Sequence, residues 1–204
     1  MNADVPSPID FCTMSDAREW ERTAMEKRPW RIEFFAKFAE ELLRLAPSLA
    51  RLLELGSGPG FLAEHLLRAL PDVHLVLLDF SPVMHQLAKH RLGPLVNRVE
   101  FIERNFKEPD WVTGLGQFDA VITMQSVHEL RHKRHAAVLH KRVKSVLRSG
   151  GSYLVCDHIY GAGGMSDSQL YMTAEEQKAA IASADFTAVR EILNKGGLVL
   201  HHAT

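Results

Sequence analysis

Apolar positions along this chain alternate between two spacings. Residues 51–55, 74–78, 99–102, 118–124 and 152–159 form short, nearly continuous apolar runs, the pattern of strands covered on both faces. The stretches between them repeat apolar residues every three to four positions, which predicts helices. Ahead of the first run, helices are predicted over 16–27 and 30–46, separated by Arg28-Pro29, where the residue before proline is pushed out of helical conformation. Ser15 is the expected cap of the first, with Asp16 and Glu19 in its opening turn. The second presents Phe34, Phe35, Phe38, Leu42 and Leu45 on one face, carries Arg31, Lys37, Glu40 and Arg44 off it, and ends at Pro47.

Later helices follow the same logic. One starts at Pro59, where a missing N–H costs nothing, with Phe61, Leu62, Leu66, Leu67 and Leu70 as its apolar positions. Another is capped by Ser81 and turns Val83, Met84, Leu87 and Ala88 inward as far as Leu92. A basic helix over 131–147 is expected to bury Ala137, Val138, Val143 and Leu147, with Glu129 as an acid at its N-terminal end. Thr173 and Glu176 form a capping box for the last helix, which ends near 184–186. Strands at 188–193 and 198–202 then flank Asn194-Lys195-Gly196-Gly197, a hairpin turn. Such alternation predicts an α/β fold: a doubly wound seven-stranded sheet, mostly parallel, with helices on both faces and the last strand antiparallel.

Composition narrows the class. At 204 residues, one domain is expected, with 1–48 as a helical cover and 49–204 as a Rossmann-like core. No run of eighteen apolar residues is present, so no membrane span is predicted. The start of the chain is polar and interrupted by Pro6 and Pro8, unlike a secretory signal. Two cysteines, Cys12 and Cys156, fit a reducing, cytoplasmic setting. A net charge of −1 argues against nucleic acid as partner. His128, His132 and His135 with Glu129 suggest metal spacing, but the four Lys and Arg side chains from Arg131 to Lys141 would repel a cation; no metal is expected.

The chemistry centres on residues 52–60, Leu-Leu-Glu-Leu-Gly-Ser-Gly-Pro-Gly. A glycine-rich strand-to-helix turn lets backbone pass close to a ligand, and the N–H groups at the helix start face a polar or anionic group. Asp79 closes the second strand, where a carboxylate accepts hydrogen bonds from ribose hydroxyls. The dinucleotide fingerprint Gly-x-Gly-x-x-Gly is not met, because the third glycine comes one residue early and Phe61 follows it. Glu-x-Gly-x-Gly-x-Gly with an acid after strand two resembles the class I S-adenosylmethionine (SAM)-dependent methyltransferases. "Phe-Asp-Ala-Val" at 118–121, "Leu-Arg-Ser-Gly-Gly" at 147–151 and "Ala-Asp-Phe" at 184–186 extend the resemblance, although Ser149 stands where proline is usual.

That resemblance implies methyl transfer from SAM to an O, N or C atom of a small-molecule acceptor, with S-adenosylhomocysteine as product. It implies SAM contacts from Glu54, Gly56, Ser57, Gly58 and Gly60, from Asp79, from Phe80 and Met84 beside the adenine, from Asn105 and Phe106, and from Gln125 in the strand-four loop. Arg28, in Arg-Pro-Trp, resembles the N-terminal Arg-Pro of the trans-aconitate methyltransferase group. His128 and His158, at carboxyl ends of strands, are the candidate catalytic residues for an acceptor that must lose a proton. The Asp and Asp-Asn pattern of metal-dependent catechol enzymes is only partly met by Gln125 and Asp157-His158. The Asn/Asp-Pro-Pro-aromatic motif of amino-methylating nucleic-acid enzymes is absent. Alternatives are a catalytically silent SAM-binding module serving a partner, and a nicotinamide-dependent reductase, which lacks its Tyr-x-x-x-Lys pair here. A homodimer is compatible with the chain.

Overall fold

The computed structural model describes residues 3–45, 49–161 and 163–204. These group into two compact units, Ile9–Trp111 and the described residues before Ile9 together with Val112–Thr204. In the first, α1 (Met14–Lys27) and α2 (Arg31–Leu43) precede β1 (Arg51–Leu55), α3 (Phe61–Ala69), β2 (His74–Asp79), α4 (Pro82–Leu92) and β3 (Val99–Glu103). β2 lies parallel to β1 on one side and β3 on the other, with Leu53 opposite Val76 and Leu77 opposite Phe101. Leu52, Leu53, Leu75, Val76, Leu77 and Leu78 have no exposed surface, as expected of strands covered above and below. Phe34, Phe35, Phe38 and Leu42 of α2 are buried, each contributing about 1.5–3 kcal/mol relative to exposure.

The second unit holds β4 (Phe118–Met124), α5 (Ala136–Val146), β5 (Leu147–His158), α6 (Ala174–Ala182), β6 (Val189–Lys195) and β7 (Leu198–Ala203). β4 and β5 are parallel, and β7 runs antiparallel to both β5 and β6. The order β3-β2-β1-β4-β5-β7-β6 makes one seven-stranded sheet, the fold class expected. Gly196 and Gly197 both take positive φ, 57° and 78°, the geometry of a two-residue hairpin turn whose twist matches the flanking strands. Thr173 accepts from Glu176 N–H and the Glu176 side chain accepts from Thr173 N–H, so the expected capping box is present.

Several boundaries differ for physical reasons. Thr13, not Ser15, is the extended residue before α1. Asp10 accepts from Cys12 N–H through its side chain, and from Thr13 N–H and Oγ1 through its carbonyl, so the turn closes early and Met14 joins the apolar cluster of Ala17, Met84 and Leu87. Pro59 lies outside α3. Gly60 takes the N-cap position in a left-handed conformation at φ 80°, and the helix begins only at Phe61. The basic helix is shorter than expected because Arg131 adopts φ 65°. The chain between β4 and α5 is therefore broken into 3-10 turns at Val127–Leu130 and Lys133–His135. Glu129 sits in the first of these. Val138 is half exposed, Leu147 opens β5, and Ala136, Leu139, His140, Val143 and Val146 form the buried face. Ala46 and Pro47, expected to close the second helix, lie outside the described residues.

Candidate functional site

In the unit Ile9–Trp111, the chain leaves β1 through three glycines at positive φ: Gly56 at 63°, Gly58 at 53° and Gly60 at 80°. They serve different purposes. A Cβ on Gly58 would meet nothing within 4 Å, whereas one on Gly60 would stand 3.2 Å from Ala88 Cβ and 3.3 Å from Ala88 Cα. Gly58 therefore opens space above the turn, and Gly60 lets α4 approach. Gly58→Ala is expected to cost about 1–2 kcal/mol for left-handed backbone. Gly60→Ala pays the same strain and a collision besides, so urea unfolding should rank it below Gly58→Ala. Equal midpoints would remove the packing role from Gly60.

Asp79, buried at the end of β2, ties the turn together. Its Oδ2 accepts from Gly58 N–H at 2.8 Å and its Oδ1 from Ser81 N–H at 2.9 Å. These two bonds fix the orientation of the carboxylate. Ser81 in turn caps α4 by accepting from Met84 N–H. Phe80 is 41% exposed, unusual for so large an apolar group and suited to stacking with a planar ligand. Met84 points instead into the cluster with Ala17 and Leu87. Asn105 is half-buried and its Oδ1 accepts from Lys107 N–H; Phe106 is buried.

Two buried polar atoms around the turn have no partner among the described residues, Ser57 Oγ and Glu54 Oε2. Burial, then repulsion from Asp79, pushes the Glu54 carboxyl well above its ordinary range, with the Arg31 charge opposing. Arg31 was expected to face outward. It is 5% exposed, with its guanidinium 5.4 Å from the Trp20 ring and 5.5 Å from the Phe61 ring, where ring faces offset part of the cost of desolvating it. Helical periodicity assigns a charged residue to the outer face and gave no sign of this. Arg28 is half-buried at the carboxyl end of α1.

The other unit carries the histidines. Gln125 follows β4 at φ 56°, a strained conformation for a residue that is not glycine. Its N–H donates to Cys156 O at 2.7 Å, and its side-chain amide lies 2.9 Å from His158 Nε2. Among the described residues, Gln125 Oε1 is buried without a partner. Asp157, missed as a site residue in the sequence, organises the rest. Oδ2 accepts from His128 N–H, and Oδ1 contacts both His128 Nδ1 and His158 N–H, all at 2.7 Å. One carboxylate on β5 thus fixes backbone and ring of His128 beyond β4. Glu129 Oε1 stands 3.3 Å from His128 Nε2 on the other side. An acid directly before His158 at a strand end was the available signal.

Burial alone would lower the His128 imidazole, but the Asp157 charge and hydrogen bond, with Glu129 adding to both, raise it from 6.5 to about 10. Burial alone would likewise raise the Asp157 carboxyl; the His128 charge and hydrogen bond hold it below its usual 3.8. The sign of each effect sets the pH window. The His128 contribution to stability is complete below pH 6.5 and disappears as pH passes about 10; that of Asp157 is complete above 3.8 and is lost on acidification. Urea unfolding should show stability declining from about pH 6 to beyond pH 10. A flat profile across that range would contradict the ion pair.

His128, Asp157 and His158 place donor atoms within 4.8 Å of one another. Asp157 is already engaged by His128 and His158, and His158 Nε2 lies against the Gln125 amide. The adjoining cavity, lined by His128, Lys133, Asp157, His158, Tyr171 and Gln177, measures about 10 Å³, room for roughly one water molecule.

Comparison with known proteins is consistent with this geometry. Residues 52–151 match the family described as "Methyltransferase domain". A stretch of 130 residues, 59% of the chain, is 28% identical to a highly reducing polyketide synthase, easB, of Emericella nidulans, of which it covers 5%. An O-methyltransferase family protein from Burkholderia thailandensis superposes with a TM-score of 0.71 at 18% identity, covering 93% of this chain and 59% of that one. The DhpI–SAH complex superposes with a TM-score of 0.69 at 20% identity, covering 94% of both chains. The chain thus spans under two thirds of the Burkholderia protein and a small part of the synthase. No helix is long and apolar enough to cross a membrane among the described residues.

Proposed function

We propose that this chain is a SAM-dependent methyltransferase in which Gly56, Ser57, Gly58 and Asp79 hold SAM while His128 and His158 serve a small-molecule acceptor; the match of residues 52–151 to the methyltransferase-domain family supports this reading. When bound, SAM supplies a methyl group already activated by a sulfonium. The protein's part is then to position, to exclude water and to manage one proton.

The observation that carries the cofactor assignment is the fixed Asp79 carboxylate beside the open space over Gly58. It offers acceptors to a diol, while exposed Phe80 offers a ring face to a base. Ser57 Oγ and Glu54 Oε2, buried and unmatched, suit a ligand with both donors and acceptors at its amino-acid end. Arg28, Met84, Asn105, Phe106 and Gln125 remain further contacts in this reading.

On the acceptor side the two histidines divide the work. With an imidazole raised to about 10, His128 stays charged near neutral pH and donates a hydrogen bond or balances an oxyanion. It does not take up a proton there. His158 is the imidazole left for that step. The Gln125 amide donates to Nε2 and so places the His158 proton on Nδ1; Nε2 takes up a substrate proton once that amide gives way. Acceptors with acidic O–H groups fit this arrangement best.

Incubation with methyl-labelled SAM and a panel of phenols, carboxylic acids and amines tests the assignment. A labelled small product, formed fastest from the acidic O–H compounds, is expected. Tight S-adenosylhomocysteine binding without any product would instead make the chain a SAM-binding module.

A further inference from the structure

Arg131 is an unusual residue to find at a left-handed turn. It takes φ 65° and ψ 7° immediately after the Val127–Leu130 turn, a conformation that glycine adopts at far lower cost. It is also only 8% exposed. Both features cost free energy, and its contacts show what offsets them. Nε donates to Val5 O at 2.9 Å, Nη2 to Pro6 O at 2.8 Å, and the Arg131 carbonyl accepts from Val5 N–H at 2.8 Å. The remaining arm, Nη1, donates to Glu129 Oε2 at 3.3 Å. Glu129 presents its other oxygen to His128 Nε2 at 3.3 Å. Asp4 adds exposed pairs to Arg134 and His135, which are screened by solvent.

We propose that Arg131 is a positioning residue for His128, acting through Glu129 and held in place by the segment Val5-Pro6. The guanidinium is suited to this because its rigid planar fork reaches two backbone carbonyls and one carboxylate from separate nitrogens, whereas an ammonium must direct all its donors from a single atom. The backbone reversal at Arg131 is what aims that fork back along the chain. Asp157 and Glu129 then hold His128 from its two nitrogens, and only the Glu129 side depends on Arg131. The inference rests on the reading of His128 as an acceptor-site residue for its kinetic arm, but not for its structural arm.

Two substitutions in the full chain test it. Arg131→Gly removes the guanidinium while relieving the left-handed backbone, so the turn itself is not penalised. Arg131→Lys keeps the charge and loses the fork. Both should lower kcat at least tenfold while leaving KM for SAM and the Kd for S-adenosylhomocysteine within twofold. Both should also shift the His128 ring resonances and speed amide exchange at residues 127–130, a readout that needs no turnover. A kcat within twofold of the parent chain, or ring resonances and exchange unchanged in Arg131→Gly, would overturn the proposal. Should no acceptor be turned over by the parent chain, the resonance and exchange data decide alone, so failure of the functional reading stays distinguishable from failure of this one.

Discussion

Asparagine in place of Asp157 is expected to destabilise the folded chain by about 3–5 kcal/mol, the range for removing one partner of a buried ion pair. The Asp157 carboxylate is 3% exposed and accepts from three N–H groups. An amide oxygen of similar shape replaces some of those bonds but not the charge that keeps His128 protonated. The imidazole must then lose its proton or remain as an uncompensated buried cation, and methyl transfer to acidic acceptors should fall by at least tenfold with it. Urea unfolding at neutral pH measures the first effect. Repeating it above pH 10 supplies the control, because the parent chain loses the His128 contribution there and the gap between the two proteins should narrow. Equal stability at neutral pH would mean that Asp157 and His128 are not a charged pair.

Asp79→Ala acts on the other unit. It removes the charged acceptor proposed for the ribose and orphans Gly58 N–H and Ser81 N–H. A hydrogen bond to a charged group is worth roughly 1–3 kcal/mol, so affinity for S-adenosylhomocysteine should drop about 5- to 150-fold. Asp79 is also a source of repulsion on Glu54, so its loss eases ionisation of that buried carboxyl. Asp79→Asn separates the two consequences, since it keeps an acceptor for one backbone N–H without the charge. Alanine and asparagine variants that both bind as tightly as the parent chain would place the ribose elsewhere.

The strands of this fold were legible because strands covered on both faces write themselves as apolar runs: β1 and β4 fall on the expected residues, and the hairpin and the Thr173–Glu176 box follow from local chemistry. The glycine turn and Asp79 were legible for the same reason, since their constraints are local to a few residues. What periodicity missed depends on contacts far apart in sequence. Arg31 is buried because Trp20 and Phe61 receive its guanidinium, and Arg131 breaks the basic helix because Val5 and Pro6 lie against it. Asp157 was visible as an acid beside His158, but its grip on His128 crosses from β5 to the end of β4. No spacing rule within one element reports such a contact.

The central claim is that a methyl-sulfonium nucleoside sits over the Gly56–Gly60 turn with its ribose on Asp79. Calorimetric titration of the unsubstituted chain with S-adenosylhomocysteine, and separately with NADH, tests it most directly. The account predicts saturable binding of one S-adenosylhomocysteine per chain and no measurable heat from NADH; binding of NADH alone would contradict it.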